Sequence, residues 1–291
     1  ALSEMGELIP DPDDAISQAE PDEPPAHSPA VSILIDGQWQ EFPSASAAEK
    51  ASYADFKAAS HRNAQNFRIT DDDLGAGGAK AKFQANLNAI QLLKHLEAEG
   101  LQASPEQQQV LSRYVGWGVL PDAFDASKPS WASEYQALKA AFTPEEYTAA
   151  RASTLNAHYT SPTVIRAIYE AVGNMGFQTG NILEPSMGVG NFFGMLPEEM
   201  QSSRLYGVEL DSITGRIAKQ LYSKANITVA GFETTDRRDF FDLAVGNVPF
   251  GQYKVNDPAY NKLGFNIHNY FFAKGLDQVR PGGVVAFVTS R

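Results

Sequence analysis

The stretch Glu184-Pro185-Ser186-Met187-Gly188-Val189-Gly190-Asn191-Phe192 decides the fold. It leaves the short apolar run 181–183 and enters a helical stretch, so it reads as the turn that joins a strand to a helix. Glycines let the backbone pass close to a ligand, and a helix start supplies free N–H groups. Gly188, Gly190 and Gly194 give G-x-G-x-x-x-G rather than the G-x-G-x-x-G dinucleotide fingerprint, and no Gly-Lys-Ser/Thr follows, which speaks against a triphosphate-binding loop. Taken alone, the loop is equally compatible with a tight structural turn.

Working outward, Ser161-Pro162 marks the start of a helix with apolar positions Val164, Ile165, Ile168, Tyr169 and Val172. Downstream, β-rich runs at 181–183, 205–210, 227–230, 241–245 and 283–289 alternate with helical stretches. That alternation predicts an α/β fold, a doubly wound and mostly parallel sheet whose ligands sit at the carboxyl ends of the strands. Tyr206-Gly207-Val208-Glu209 ends the second run in an acid 19 residues beyond Gly190, the distance at which such an acid reaches a ribose diol. Loop and acid together indicate an adenosine-containing cofactor.

Directly after the apolar run 241–245 comes Gly246-Asn247-Val248-Pro249-Phe250. A polar amide, a constrained backbone and an aromatic ring at a strand's carboxyl end suit a planar nitrogenous substrate. The Asn247 side-chain oxygen and the Val248 carbonyl can accept both hydrogens of an amine while the Phe250 ring stacks on the heterocycle.

Ahead of this region lie segments of different character. Residues 1–30 hold eight of the 35 acids, none of the 23 Lys and Arg, and six prolines, the composition of a disordered acidic tail. The remainder is only mildly acidic, a weak argument against a large nucleic-acid footprint. Residues 31–64 read as a hairpin turning at Asp36-Gly37 followed by an Ala-rich helix, of unknown role. Residues 65–155 read as a helical subdomain: Phe83, Leu87, Ile90, Leu93 and Leu96 have helical spacing with Gly100 as the stop. Ser104-Pro105-Glu106-Gln107 and Thr143-Pro144-Glu145-Glu146 start helices near 104–115 and 143–155, with another near 131–141. Tyr114 and Trp117 read as packing. Residues 156–291 form the α/β core.

Several classes are excluded or disfavoured. The 291-residue chain has no cysteine, hence no disulfide framework, iron–sulfur cluster, thiolate zinc site or nucleophilic thiol. Its five histidines, His27, His61, His95, His158 and His268, never fall at a ligand spacing, so no metal is expected. No apolar run approaches bilayer length and the N-terminus lacks a secretory pattern, so no membrane association and a cytoplasmic location are expected. The pairs Asp71/Asp72 and Arg237/Arg238 read as solvated, and His268 as packing or surface.

The motif order resembles the S-adenosylmethionine-dependent amino-methyltransferases, particularly adenine-specific DNA methyltransferases of the gamma arrangement. That family's Tyr-Thr-x-Pro segment reads here as Tyr159-Thr160-Ser161-Pro162, its Asn-Pro-Pro-Tyr/Phe as Asn247-Val248-Pro249-Phe250, and its helix and Pro-Gly-Gly turn as residues 265–285. The resemblance spans about residues 157 to 291. With the preceding helices, the chain also resembles the methylase portion of very large methylase–helicase polypeptides of phages and mobile elements.

The resemblance implies a Rossmann-like class I methyltransferase fold, S-adenosylmethionine as cofactor, and adenine in DNA as methyl acceptor. Asn247, Val248, Pro249 and Phe250 would hold the acceptor. Cofactor contacts would fall on Tyr159, Thr160 and Pro162, on Glu184, Pro185, Ser186, Gly188, Gly190, Asn191 and Phe192, on Glu209 and Leu210, on Phe232 and Glu233, and on Asn247. Two departures stand out: Val248 replaces a family proline, where the contact is a backbone carbonyl, and the acid after the third strand has no clean match besides Glu233. Because the usual fold continues into further strands and a recognition domain, the chain reads as a fragment whose last strand is a sheet edge. Three alternatives stay open: a methyltransferase acting on RNA or a protein glutamine, a non-catalytic module that binds DNA or a partner, and, disfavoured by the glycine spacing and the Asn247 motif, a nicotinamide-dependent enzyme. Oligomeric state is not legible.

Overall fold

The computed structural model describes residues 31–35, 38–43, 45–62, 64–154 and 160–289. The chain divides into two compact units, residues 1–56 and 57–291. In the first, β1 (Val31–Ile35) and β2 (Gln38–Phe42) pair antiparallel, from Val31 opposite Phe42 to Ile35 opposite Gln38. That register leaves two residues between the strands, as a tight hairpin requires; the Asp36-Gly37 turn itself and the acidic tail lie outside the described residues. The next element is α1 (Ala45–Arg62).

In the second unit, α2 (Ala79–Glu99) buries Phe83, Leu87, Ile90, Leu93 and Leu96 on one face and ends at Gly100, whose φ of 61° is the left-handed cap that glycine adopts without strain. Complete capping boxes open α3 (Pro105–Ser112) at Ser104 and Gln107, and α5 (Pro144–Ser153) at Thr143 and Glu146, with α4 (Ala132–Ala141) between them. The buried Trp117 centres this segment, edge-on to Phe124 at 5.3 Å and to Phe142 at 5.9 Å. In α6 (Pro162–Asn174), Ile165, Tyr169 and Val172 are buried. Two details there refine the sequence reading. Ser161 is the N-cap as read, though its side chain makes no capping bond, and Val164 is exposed because it sits about 100° round the helix from the buried Ile165.

The remaining elements are β3 (Asn181–Glu184), α7 (Asn191–Gly194), β4 (Arg204–Glu209), α8 (Ser212–Leu221), β5 (Asn226–Val229), β6 (Phe241–Asn247), α9 (Ile267–Gln278) and β7 (Val279–Val288). All five of these strands pair parallel, in the order β5-β4-β3-β6-β7. From β3 the chain winds outward through β4 to β5, then crosses back to lay β6 on the other side of β3. The strand order therefore reverses between β3 and β6, where doubly wound sheets open a crevice. Alternate residues serve the two faces. Ile182, Leu205, Leu243 and Val245 join the apolar cluster that includes the helical segment, α6 and α8, while Leu183, Val208 and Ala244 join a second cluster with Ile267, Tyr270 and Phe271 of α9.

One boundary is corrected. The last strand begins at Val279, not Gly283: Val279 pairs with Phe241, and Val284 resumes opposite Leu243, so the Pro281-Gly282-Gly283 stretch lies at a shift of register inside the strand. Asp71 and Asp72 have solvent-exposed side chains, as read, and in addition form surface ion pairs, Asp71 with Arg113 at 2.9 Å and Asp72 with Arg166 at 2.8 Å. Arg237 and Arg238 are likewise exposed as read; Arg237 lies over the rings of Tyr206 and Phe240, about 5 Å from each, and Arg238 reaches Asp277. Among the described residues, no helix is long and apolar enough to cross a membrane, and no cluster of His and carboxylate side chains stands ready for a metal ion.

Candidate functional site

A cavity of about 780 Å³ opens at the carboxyl ends of β3, β4 and β6. Its floor is the turn after β3. Gly188 and Gly190 adopt positive φ of 56° and 82°, which lets the chain reverse in a few residues. The Met187 N–H donates to the Val208 carbonyl at 2.9 Å, and the Gly190 N–H to the Met187 carbonyl at 2.8 Å. Glu209, the last residue of β4, buttresses the turn: its carboxylate accepts from the Gly188 N–H at 2.8 Å and from the Asp211 N–H at 2.7 Å.

Two acids border this floor, Glu184 buried and Glu209 half-buried. Burial pushes the Glu209 carboxyl up to about 7, the Asp211 charge adding to the rise and the Asp211 and Gly188 N–H groups opposing it. Burial also raises Glu184 well above the ordinary carboxylate range, and the Glu209 charge adds to it. Glu184 is 2% exposed and its Oε2 meets no hydrogen-bond donor; the buried Thr160 hydroxyl on the cavity wall is also unpartnered. Orphaned polar atoms of this kind cost on the order of 1–3 kcal/mol each, so a cavity that holds two of them is built for a ligand that donates hydrogen bonds or carries positive charge.

On the opposite side of the strand-order reversal, β6 delivers Asn247. Gly246, just before it, adopts a φ of 149° that a side chain would strain, while a Cβ there would only touch Glu184 Cγ at 3.4 Å. The Val248 N–H donates to the Val288 carbonyl at 3.1 Å and its side chain is buried, so the backbone of the Asn247–Phe250 turn is pinned to β7. All four of these residues line the cavity.

Most of the sequence-derived site residues meet here. Thr160, Glu184, Pro185, Ser186, Gly188, Asn191 and Phe192 border the cavity from one side, and Glu209, Leu210, Phe232 and Glu233 from another. Phe232 is backed by Phe271 at 5.0 Å and 32°, and Glu233 is exposed. Two residues do not border it. Pro162 is the first residue of α6, and Gly190 fills a packing role, since a Cβ there would meet the Tyr222 ring at 2.5 Å and Met187 Cε at 2.9 Å. Tyr159 lies outside the described residues.

Other lining residues were not foreseen. Tyr114 and Ser153 come from the helical segment, and Thr214, also on the cavity wall, starts α8 with its N–H and hydroxyl both donating to Asp211 Oδ1 at 2.8 and 2.6 Å. Tyr253 and Asn256 come from the loop after β6. The cap Asp211-x-x-Thr214 is legible as a helix start; nothing local marks Tyr114 or Ser153, which the tertiary fold brings in.

No family model matches the chain. It is 27% identical over 216 residues, 72% of its length, to the Defense against restriction protein B of Escherichia phage P1, and 35% identical over 103 residues, 34% of its length, to the Type II methyltransferase M.CvrRI of Paramecium bursaria Chlorella virus XZ-6E. The matched segments are 8% and 26% of those proteins, so the chain spans only a small part of the curated relatives it matches. Both similarities agree with the resemblance drawn from the motifs. Among solved structures, the mitomycin 7-O-methyltransferase MmcR aligns over 84% of this chain and 82% of its own at 12% identity and a TM-score of 0.32, a likeness too loose to bear on activity.

Proposed function

We propose that the chain transfers a methyl group from S-adenosylmethionine to the exocyclic amine of adenine in DNA. The observation that carries the proposal is the meeting, in one cavity, of the glycine turn, the paired acids Glu184 and Glu209, and the Asn247–Phe250 motif on the far side of the strand-order reversal. The similarity to a viral Type II methyltransferase points the same way.

The residues present fit the cofactor. An orphaned carboxylate oxygen on Glu184 and an orphaned hydroxyl on Thr160 suit its charged amino-acid end, Glu209 suits the hydroxyls of a ribose, and the exposed Leu210 with Phe232 suits a flat base. When bound, S-adenosylmethionine supplies an electrophilic methyl group on a positively charged sulfur. What this chain's residues do is hold the acceptor. The exocyclic nitrogen of adenine is a poor nucleophile because its lone pair is delocalised into the ring. Accepting both its hydrogens at the Asn247 side-chain oxygen and the Val248 carbonyl favours a pyramidal nitrogen with a directed lone pair, an electrostatic and positional contribution. Because that second contact is a backbone carbonyl, valine serves as well as proline. Phe250 stacks on the ring and recovers part of the few kcal/mol spent in taking a base out of the duplex.

The test incubates the 291-residue chain and labelled S-adenosylmethionine with duplex DNA, RNA and a glutamine peptide. Label at the adenine N6 position of DNA, absent when adenine is replaced by purine, is the expected result. Label confined to RNA or to the peptide would reassign the acceptor, and cofactor binding without transfer to any of them would make the chain a binding module.

A further inference from the structure

Burying an ion pair is a weak way to stabilise a fold, because desolvating both charges offsets most of their attraction and apolar residues of similar volume often do as well. The pair formed by Asp257 and Lys274 is nonetheless buried, with side chains 7% and 5% exposed and Oδ2 2.9 Å from Nζ. Asp257 lies in residues 248–266, the segment joining β6 to α9, and Lys274 is on α9. The same Oδ2 accepts from the Tyr270 hydroxyl at 2.8 Å, one helical turn before Lys274, and Oδ1 accepts from the Ala259 N–H at 3.0 Å. Burial alone would push this carboxyl up, but the bonds from Lys274, Tyr270 and Ala259 bring it below the ordinary range, so it is held as a carboxylate.

The pair has a direct structural route to the cavity. The Asp257 N–H donates to Asn261 Oδ1 at 3.0 Å, and Asn261 Nδ2 donates to Asn256 Oδ1 at 2.8 Å, which fixes the side chain of a cavity-lining residue. The Ile267 N–H donates to the Tyr253 carbonyl at 3.0 Å, a second tie between segment and helix. On its other side, Lys274 Nζ stands 5.2 Å from the centre of the Phe232 ring, which also lines the cavity. Neither Asp257 nor Lys274 lines it.

We propose that the Asp257–Lys274 pair is a positioning clamp, which holds the wall formed by Tyr253, Val255 and Asn256 at a fixed place against the Asn247–Phe250 turn so that an acceptor base meets a preformed slot. The clamp rests on the methyl-transfer reading for its substrate and on geometry alone for its mechanical role. A loop this long would otherwise have to be ordered by each acceptor as it binds, at a cost in affinity.

The test uses the double variant Asp257→Asn with Lys274→Met, which removes both charges at similar volume, beside each single variant. Expected for the double variant are an unchanged S-adenosylmethionine affinity, faster amide hydrogen exchange confined to residues 251–266, and an acceptor KM raised about tenfold or more with a smaller change in kcat. The single variant Lys274→Met leaves a buried unpaired carboxylate and lowers the thermal midpoint more than the double variant does. A double variant with wild-type exchange and wild-type acceptor KM would reduce the pair to ordinary packing and overturn the clamp. Exchange is read without any acceptor, so it decides the mechanical claim even if the wild-type chain methylates nothing, an outcome that would sink the methyl-transfer reading instead.

Discussion

Glu184 and Asn247 end neighbouring parallel strands on the two sides of the strand-order reversal. One contributes a buried carboxylate whose Oε2 meets no donor, the other a carboxamide at the mouth of the Val248 turn. The two halves of the proposed chemistry, holding a charged cofactor and holding an amine, therefore sit on adjacent strands, with Asn247 two residues further along β6 than the position that the register sets opposite Glu184.

That separation predicts divisible effects. Asn247→Ala removes an acceptor that acts on the methyl-receiving amine and lowers transfer by about 10²–10³-fold while cofactor affinity stays nearly intact. Single-turnover transfer and calorimetric cofactor titration on the same sample read the two separately; joint loss of both would contradict this division of roles.

Glu184 predicts a trade of stability for binding. Its raised folded pKa means that the fold holds its proton more tightly than the unfolded chain does. Stability is therefore lost as pH rises above the unfolded carboxylate value. Glu184→Gln removes that penalty, so the ligand-free chain melts at a higher temperature at pH 8 and binds S-adenosylmethionine more weakly. A variant that melts lower at pH 8 would show that the carboxylate is already compensated within the protein.

Glu209 predicts a pH dependence with a definite sign. Its carboxyl titrates near 7 in the ligand-free chain, and ribose hydroxyls donate to its ionised form. Cofactor affinity should rise with pH up to about 7 and level off above it, with a limiting slope of about tenfold per pH unit below. Glu209→Gln should flatten the profile. An affinity that falls across that range would mean that the protonated acid is the binding form.

Gly190 tests the turn without touching the cavity. Its φ of 82° and the Tyr222 ring 2.5 Å from a would-be Cβ make Gly190→Ala both strained and overpacked. The expected loss is about 2–3 kcal/mol, read from the denaturation midpoint at unchanged slope. An alanine tolerated at no cost would show that the Tyr222 side chain yields.

What the sequence discloses of this site follows from how local each signal is. Gly188, Glu209 and Asn247 were legible because each sits at the end of its own apolar run, and the alternation of runs and helices specifies that those ends converge. Tyr114 gave itself away only as an aromatic, since its place on the same cavity wall as Thr214 depends on how α3 packs on α8, about a hundred residues further along the chain. Asp257 and Lys274 carry no motif, as a carboxylate and an amine at that separation resemble any solvated pair until burial is known. The early start of β7 was hidden by Pro281-Gly282-Gly283, which reads as a strand boundary and instead lies at a shift of register within the strand.

The central claim is that this cavity binds S-adenosylmethionine. Calorimetric titration of the 291-residue chain, beside Gly188→Asp and Glu209→Ala, tests it most directly. The account predicts micromolar binding that both variants weaken. A folded chain that takes up no S-adenosylmethionine, or binds it equally well with either change, would contradict it.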